Sequence, residues 1–326
     1  MSPAAIRCRN CTPTVESSGT MGRFLLGRLL GAIPTLLAII LLSFAIMRAA
    51  PGGPFDGERA LPPEVEANLR AAYDLDAPLA VQLGRYLAGL ARFDFGPSFK
   101  YADFSVGELI AGGAPVSAII GGAALLLATV LGIALGSVAA LDRHRALDSG
   151  VMALAVVGQV VPTFVVGPLL ALLFGLWLGW LPIAGLEGGA RAFVLPVVTL
   201  ALPYVASIAR LTRGSLREVL AQPFIRTARA KGLDDATVLW RHALKPALLP
   251  VVSYLGPAAA GLLTGSVVVE TVFGLPGIGR YFVQGAINRD YTLVLGVVVL
   301  YGALIILFNL LVDILYGWLD PRLARR

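Results

Sequence analysis

The side chains in this 326-residue sequence that could carry out chemistry are few and scattered. Cys8 and Cys11 form one CxxC pair with no second pair and no nearby histidine, which is a weak signal for a metal or redox site. None of the lysines, Lys100, Lys231 and Lys245, follows a glycine or precedes a serine or threonine, so the sequence has no Walker A phosphate loop. We therefore predict no catalytic residue, no metal site and no disulfide in this chain.

Ser98, in Gly96-Pro-Ser98, is the remaining candidate nucleophile, and it would need a histidine base within hydrogen-bond reach. The two histidines, His144 and His242, are predicted to lie across the membrane from Ser98. Serine hydrolase chemistry is therefore excluded, and His242 is interpreted as a helix-end residue or a contact with a partner protein.

The composition is that of a polytopic membrane protein. Hydrophobic residues make up 57% of the sequence and charged residues 14%, and the mean hydropathy is +0.80. The net charge of +6 does not indicate nucleic-acid binding, because the basic residues cluster on one side of the predicted topology. We expect membrane lipid, and no nucleic acid, around this chain.

Six apolar runs are long enough to cross a hydrocarbon core, which takes about 20 residues. They predict an all-α, polytopic bundle of six transmembrane helices. The first run is too long for a signal peptide and lacks a cleavage signature, so we expect it to remain as a membrane anchor. The runs are 29–47, 109–141, 149–186, 192–209, 246–269 and 291–312.

The third run, 149–186, is long enough to raise the question of two crossings. Trp177, Trp180 and Pro182 indicate an interfacial belt that closes one crossing. With one crossing, 17 of the 26 Lys and Arg residues share a side with both termini. The positive-inside rule then predicts that both termini are cytoplasmic.

Two runs carry features of a translocation path. In the third, Gln159 and the prolines Pro162 and Pro168 predict a bent helix whose freed carbonyls face protein or water. The fifth is the most polar and the most interrupted by proline and glycine, and we predict that it lines a path with Ser253, Tyr254, Thr264 and Ser266. The second apolar run, 109–141, has a different feature: its segment Gly132-Ile-Ala-Leu-Gly136 predicts close helix packing.

Three polar segments complete the domain plan. Residues 1–22 are predicted to be an N-terminal tail before a membrane domain, 23–326, and we expect 1–20 to have no structural role. Segment 48–108 carries nine acids and six bases, with amphipathic helices predicted at 63–73 and 78–90. It is either a solvated extracytoplasmic cap or a lip for a substrate-delivering protein.

The third polar segment, 210–246, carries eight basic and three acidic residues. Pro223 suits the first turn of a helix and Gly232 a left-handed C-terminal cap, which predicts a helix over 223–231. Asp234 is predicted to cap a second helix running to about Leu244, before Pro246 opens the next apolar run. From spacing alone, this basic pair of helices either lies on anionic headgroups or docks onto a protein.

The segment from Ile225 to Gly232 (IRTARAKG), followed by RHALKP ending at Pro246, resembles the cytoplasmic EAA loop of ABC importer permeases, which docks into a groove on the ATPase subunit. Arg226-Thr-Ala replaces the usual Glu-Ala-Ala, Gly232 keeps its place, and Lys245 stands at the usual proline position, as in the peptide and nickel branch. By resemblance, the ATPase-coupling residues are Pro223, Phe224, Arg226, Thr227, Ala228, Arg229, Lys231, Gly232 and His242.

Four other segments resemble the same branch, and the resemblance runs from about Arg23 to the end of the chain. It implies a type I ABC importer permease fold, a location in the bacterial cytoplasmic membrane and transport of oligopeptides. These segments are APG (50–52), FGPSFK (95–100), ETVFGLPGIG (270–279) with NRDY (288–291), and LDP (319–321).

The resemblance also implies partners. They are a homologous permease subunit, two ATPase subunits that bind ATP and Mg, and an extracytoplasmic peptide-binding protein. This chain itself is expected to hold no cofactor. Dipeptides, glutathione and nickel chelates remain alternative substrates. An ion-coupled secondary carrier is the rival class, but it would place ionisable groups inside the spans, where we expect none.

Overall fold

A computed structural model describes residues 18–49, 64, 70, 75–101, 103–142 and 146–319. Every regular element among them is a helix, and the one β contact is an isolated bridge between Pro97 and Ser105. The helices are α1 (Ser18–Ala49), α2 (Leu79–Leu90), α3 (Val106–Leu141), α4 (Ala146–Val160), α5 (Thr163–Leu170), α6 (Val194–Leu220), α7 (Pro223–Ala230), α8 (Asp235–Thr237), α9 (Leu244–Ala247), α10 (Leu249–Val272), α11 (Ile278–Ile287) and α12 (Tyr291–Leu319).

Irregular helical turns extend these elements. A π-helical segment, Ala171–Trp177, continues α5, and a second, Val238–Ala243, joins α8 to α9. A 3₁₀ turn, Gly189–Phe193, leads into α6.

Five helices (α1, α3, α6, α10 and α12) are long and apolar enough to cross a membrane. The remaining crossing is broken, because α4 and the segment from Thr163 to Trp177 meet at 104°. Pro162 is the N-cap of α5 at this break, so the predicted bend is confirmed. The broken pair crosses once: Asp148 at its start contacts Arg213 near the C-terminus of α6, while Gly167 in α5 lies beside Thr199 near the N-terminus of α6. The described residues thus form up to six crossings, five straight and one broken, in agreement with the prediction.

Three boundaries differ from the sequence prediction. Helix α1 begins at Ser18, inside the segment assigned to the tail. Helix α6 continues to Leu220 and does not end near 209, because a helix satisfies its own backbone hydrogen bonds whether its side chains are apolar or charged. No break occurs at Pro246, which lies inside α9. The amphipathic stretch at 78–90 is confirmed as α2, whereas the one at 63–73 lies outside the described residues apart from 64 and 70.

Helices α3 and α6 form the closest helix pair at the centre of the bundle. A Cβ atom on Gly136 would lie 2.4 Å from the carbonyl oxygen of Ala209, and one on Gly132 would lie 2.7 Å from the Cβ of Ile208. The predicted role of these glycines in close packing is therefore confirmed. Around this contact α3, α6 and α10 bury a shared core that includes Ile120, Leu200, Ile208 and Leu262.

A buried carboxyl group, that of Glu270 in α10, accepts a hydrogen bond at the N-terminus of α11. The side chain of Glu270 is fully buried and accepts hydrogen bonds from the Ser117 hydroxyl at 2.6 Å and from the Gly279 N–H at 2.8 Å. Ser117 in turn accepts from the Ile278 N–H at 2.9 Å. The first N–H groups of α11 are thus satisfied by α10 and α3. A Cβ on Gly277 would lie 2.3 Å from this carboxylate, so the glycines of the turn make room for it.

A second buried carboxyl group, that of Asp290, caps the N-terminus of α12. Asp290 accepts from the N–H of Leu293 at 3.1 Å with one oxygen. Its other oxygen accepts from the Ser98 hydroxyl at 2.5 Å and from the N–H groups of Phe99 and Lys100 at 3.0 and 3.1 Å. Asp290 therefore fixes the loop around Ser98 onto the start of α12, and Ser98 itself is completely buried.

The α3–α6 contact yields a prediction. Gly136→Ala places a methyl group against the α6 backbone, so we expect a loss of about 1–3 kcal/mol in stability and a lower temperature of aggregation on heating in detergent. Gly122→Ala, on the same helix but with no atom within 4 Å of its new Cβ, is the control and should leave this temperature unchanged. Equal midpoints for both variants would contradict the close α3–α6 contact.

Candidate docking and coupling site

Helix α7 has well-defined ends. Pro223 occupies its first turn after Gln222, which is extended at φ −69° and ψ 150°. At the other end Gly232 has φ +82°, the left-handed conformation that glycine adopts without steric cost. The N–H of Leu233 donates to the Ala228 carbonyl at 3.4 Å and that of Gly232 to the Arg229 carbonyl at 2.9 Å, which is a Schellman motif. The predicted helix and its cap are confirmed.

The inner face of α7 is fixed to the bundle. Ile225 and Ala228 are buried in a small core beneath the helix. Ala228, assigned by resemblance to the ATPase contact, therefore faces inward and positions the helix. The other buried members of this core are Leu216, Val238, Ala243 and Ala247.

The outer face of α7 is basic, with one aromatic residue. Phe224 is 45% exposed, and Arg226 and Lys231 are also exposed. Among the described residues Arg226 has no ion-pair partner, whereas Arg229 lies 3.3 Å from Asp235. The exposed Thr227 and Pro223 complete this face, and the Thr227 hydroxyl donates to the Pro223 carbonyl at 3.1 Å.

The second helix begins as predicted. Asp234 accepts from the Thr237 N–H at 3.1 Å, and hydrogen bonds from Thr237 hold the pKa of this carboxyl below its usual value. The helix then runs through the π-helical segment, where His242 is half-buried, its Nδ1 3.5 Å from the Thr237 carbonyl oxygen. Trp240 is 72% exposed in the same segment, and it is not among the coupling residues assigned by resemblance. The sequence does contain a signal for Trp240, because an exposed tryptophan in a polar loop is uncommon outside interfaces.

An ionic cluster links α6 to the start of the broken crossing. Asp148, in the first turn of α4 and 6% exposed, accepts hydrogen bonds from Arg213, one of them 2.7 Å long, and from Arg217 at 3.0 Å. Arg217 also donates to the Ala139 carbonyl in α3 at 3.2 Å. A carboxylate in the first turn of a helix is favoured by the helix dipole as well. This cluster ties α3, α4 and α6 together just before the chain enters α7.

The residues predicted to line a path do not gather at one surface. Gln159 and Pro162 are exposed at the break between α4 and α5, whereas Ser253 and Tyr254 are half-buried on α10. Ser266 is fully buried and donates to the Leu263 carbonyl at 2.6 Å, so no substrate can touch it in this conformation. Thr264 also lies on α10, but its side chain is outside the described part of the chain. In that part, no cluster of three His, Cys, Asp or Glu residues has metal-binding geometry.

Comparison with known proteins gives consistent matches. Residues 132–325 match the family model for the binding-protein-dependent transport system inner membrane component. The chain is 57% identical over 304 residues to the oligopeptide transport system permease protein OppB of Salmonella typhimurium, covering 93% of this chain and 99% of that protein. It is 43% identical over 303 residues to the dipeptide transport system permease protein DppB of Bacillus subtilis, covering 93% and 98%.

Solved structures with a similar fold are also transporters. An inward-facing MetNI methionine ABC transporter matches with a TM-score of 0.55 and 20% identity, covering 65% of this chain and 96% of that one. An amino acid ABC transporter crystallised with histidines matches with a TM-score of 0.51 and 17% identity, covering 65% and 94%. At these identities the likeness concerns the fold alone.

The ionic cluster yields a prediction. Asp148→Asn leaves two arginines without a carboxylate acceptor, so we expect the purified protein to aggregate at a lower temperature. Glu218→Gln, which removes an exposed carboxylate from the same helical turn as Arg217, is the control and should have no effect. If Asp148→Asn is as stable as Glu218→Gln, the cluster does not hold α4 to α6.

Proposed function

The chain belongs to the family of binding-protein-dependent transport system inner membrane components, and on that premise we propose that it is a transmembrane permease subunit of an ATP-driven importer of oligopeptides. We infer oligopeptides as the substrate class from the 57% identity, over almost the whole chain, to permeases named for oligopeptides. Identity to a permease named for dipeptides is lower, at 43%, so dipeptides are the second candidate. The assignment of glutathione or nickel chelates as substrates is supported only by the signature segments shared with their permeases.

The proposed complex contains four further subunits. A homologous permease completes the membrane unit, two separate ATPase subunits bind ATP and Mg, and a binding protein delivers peptide. The family description, which names a binding protein, supports the last of these. The lack of a Walker A sequence in this chain agrees with ATP being bound elsewhere.

The outer face of α7 is the proposed ATPase contact. Phe224 supplies an apolar anchor, while Arg226 and Lys231 supply positive charge at its edge, which suits a groove with an apolar floor and an acidic rim. Trp240, in the π-helical segment after α8, is also exposed. Because Arg229 already pairs with Asp235, we assign it a smaller share of the contact.

A membrane-surface role for α7 is the rival interpretation, and the burial of its residues argues against it. A helix that lies on lipid inserts an apolar face into the headgroup boundary. Here the aliphatic residues Ile225 and Ala228 are used in the core beneath α7, and Phe224 is the one large apolar side chain left outside. Helix α7 itself would therefore present headgroups with charge and with one large apolar side chain, that of Phe224.

The carboxylates of this chain that could bind a coupling ion already have hydrogen-bond partners, and this argues against an ion-coupled carrier. Asp148, Glu270 and Asp290 are buried and engaged in at least two hydrogen bonds each. A carboxylate that binds a coupling ion must exchange its partners during the cycle. These three hold helix ends in place instead, and Asp313, which lies within α12, is paired with Arg28 of α1 at 3.1 Å.

Force would pass from α7 into the bundle by two contacts. Closure of the ATPases moves α7, and the core around Ile225 transmits this displacement to Leu216 in α6. The Arg213–Asp148 contact then transmits it to α4, whose far end is the break at Pro162. We propose that this break takes up the displacement as the permease changes between inward-open and outward-open states.

The proposed sidedness follows from charge. In a topology of six crossings the coupling segment shares a side with both termini and with 17 of the 26 basic residues, and we assign that side to the cytoplasm by the positive-inside rule. Segment 48–108 and α11 then lie on the extracytoplasmic side. Both the cap and the lip interpretations of that segment remain proposals.

The docking assignment predicts the behaviour of Gly232 variants. Valine at φ +82° costs on the order of 1–2 kcal/mol and tilts α7, so we expect Gly232→Val to lower ATPase co-purification and labelled-oligopeptide uptake together. Gly232→Asn is the matched control, because asparagine tolerates this conformation and should retain most of both.

Membrane insertion is checked for each variant by its recovery in the membrane fraction. Normal ATPase recovery and uptake by an inserted Gly232→Val protein would remove the docking assignment. Uptake of labelled dipeptides but not of longer peptides by the unmodified complex would replace the substrate class and leave docking intact.

A further inference from the structure

A cavity of about 280 Å³ opens between α1, α2 and the start of α12, far from the docking site. Its floor is apolar, formed by Phe44, Met47 and Leu295, and its polar lining includes Arg48, Arg85, Tyr86 and Gln82. Asp94 is the one carboxylate among the described lining residues. Asp94 already accepts a hydrogen bond from the Gly96 N–H at 2.9 Å. Among the described lining residues there are thus two arginines and one carboxylate.

Arg48 is held in position without a carboxylate partner. Its guanidinium lies 5.5 Å from the ring centre of Phe44 and 5.2 Å from that of Tyr291, within cation–π range of both. It donates to the side-chain oxygen of Gln82. Among the described residues it has no other acceptor. A half-buried arginine with several unused N–H groups can donate hydrogen bonds to a bound anion.

Gln82 is itself oriented by its surroundings. Its amide nitrogen donates to the Leu75 carbonyl at 3.0 Å and to the Ala77 carbonyl at 2.7 Å. Both amide hydrogens are thereby used, so the amide oxygen is turned to Arg48. The position of the guanidinium is thus built into the loop before α2.

The Tyr86 hydroxyl is the second group that requires an explanation. It is buried in the wall of the cavity and has no hydrogen-bond partner among the residues that the structure describes. A tyrosine phenol is protonated, and therefore a donor, at neutral pH, and burial raises the pKa of this one further. An unpaired buried donor costs free energy, and an acceptor bound in the cavity would recover it.

The location points to a lipid. Helix α1 ends at Ala49 and α12 begins at Tyr291, so the cavity lies where two crossings reach the membrane surface. Leu37 and Leu41, 40% and 41% exposed, lie on the same stripe of α1 as Phe44 and Arg48, because residues four, seven and eleven positions apart share a helix face. An exposed apolar stripe that leads to a basic pocket at the interface suits an acyl chain and its phosphate.

We infer that this cavity binds the phosphate group of a membrane phospholipid, with Arg48 and Tyr86 as its donors. Arg85 adds positive charge to the same lining. The inference rests on the proposed function only for the side of the membrane, which is the extracytoplasmic leaflet. Failure of lipid binding would leave the ATPase contact untouched, since the two sites lie at opposite ends of the bundle.

The test is native mass spectrometry of the assembled transporter, delipidated and titrated with dioleoyl phosphatidylglycerol. Arg48→Gln should weaken the apparent affinity roughly tenfold, and Tyr86→Phe should weaken it severalfold, because each removes a hydrogen bond to an anion. Arg92→Gln, which removes an exposed arginine that does not line the cavity, is the control and should bind like the unmodified protein.

Tyr86→Phe separates binding from folding. Its hydroxyl has no partner in the described part of the chain, so in lipid-free detergent this variant should be as stable as the unmodified protein while it binds the lipid less tightly. Equal lipid affinity in all four proteins would overturn the proposal. Displacement of the lipid by millimolar inorganic phosphate would assign the site to the free anion. Binding by the isolated chain that is lost in the assembled complex would show that a partner subunit covers the cavity. Either result would also reject the lipid assignment.

Discussion

A helix that begins at a membrane surface leaves its first N–H groups without acceptors, at a place where water is scarce and an unpaired polar group is costly. In this protein acidic side chains meet that requirement at both ends of the bundle. Glu270 and Asp290 do so for α11 and α12, and Asp234 does so for α8. Ser105 and Glu108 form a capping box at the start of α3, where the Ser105 N–H donates to Glu108 at 2.8 Å. At Glu270 and Asp290, which are buried, the carboxyl group and the unsatisfied helix end compensate each other.

These carboxylates also explain the signature segments. The glycine-rich turn after α10 admits the Glu270 side chain, and the loop around Ser98 converges on Asp290. Segments separated by about 190 residues in sequence thus meet at one carboxylate. Asp148 differs, because its partners are arginine side chains on α6, and it links the interior of the bundle to the coupling segment.

Much of the fold could be predicted from local sequence. Apolar length identified the crossings, Pro162 the break, and Pro223 with Gly232 the ends of α7, because each of these signals acts within a few residues. Long-range pairing could not be predicted. The arginines of α6 marked the end of a crossing by charge, yet the helix continues, and their acceptor lies on α4. The inward position of Ala228, the burial of Ser266 and the cavity beside Arg48 likewise depend on which helices meet.

In the proposed complex the outer face of α7, and not its inner face, contacts an ATPase subunit. Single cysteines placed along α7, in a protein lacking Cys8 and Cys11, can be tested for disulfide cross-linking to cysteines in the ATPase groove of the assembled complex. We predict cross-links from positions 226 and 227, and none from the buried positions 225 and 228. Equal cross-linking from both faces, or none from either in a complex that still imports peptide, would contradict the account.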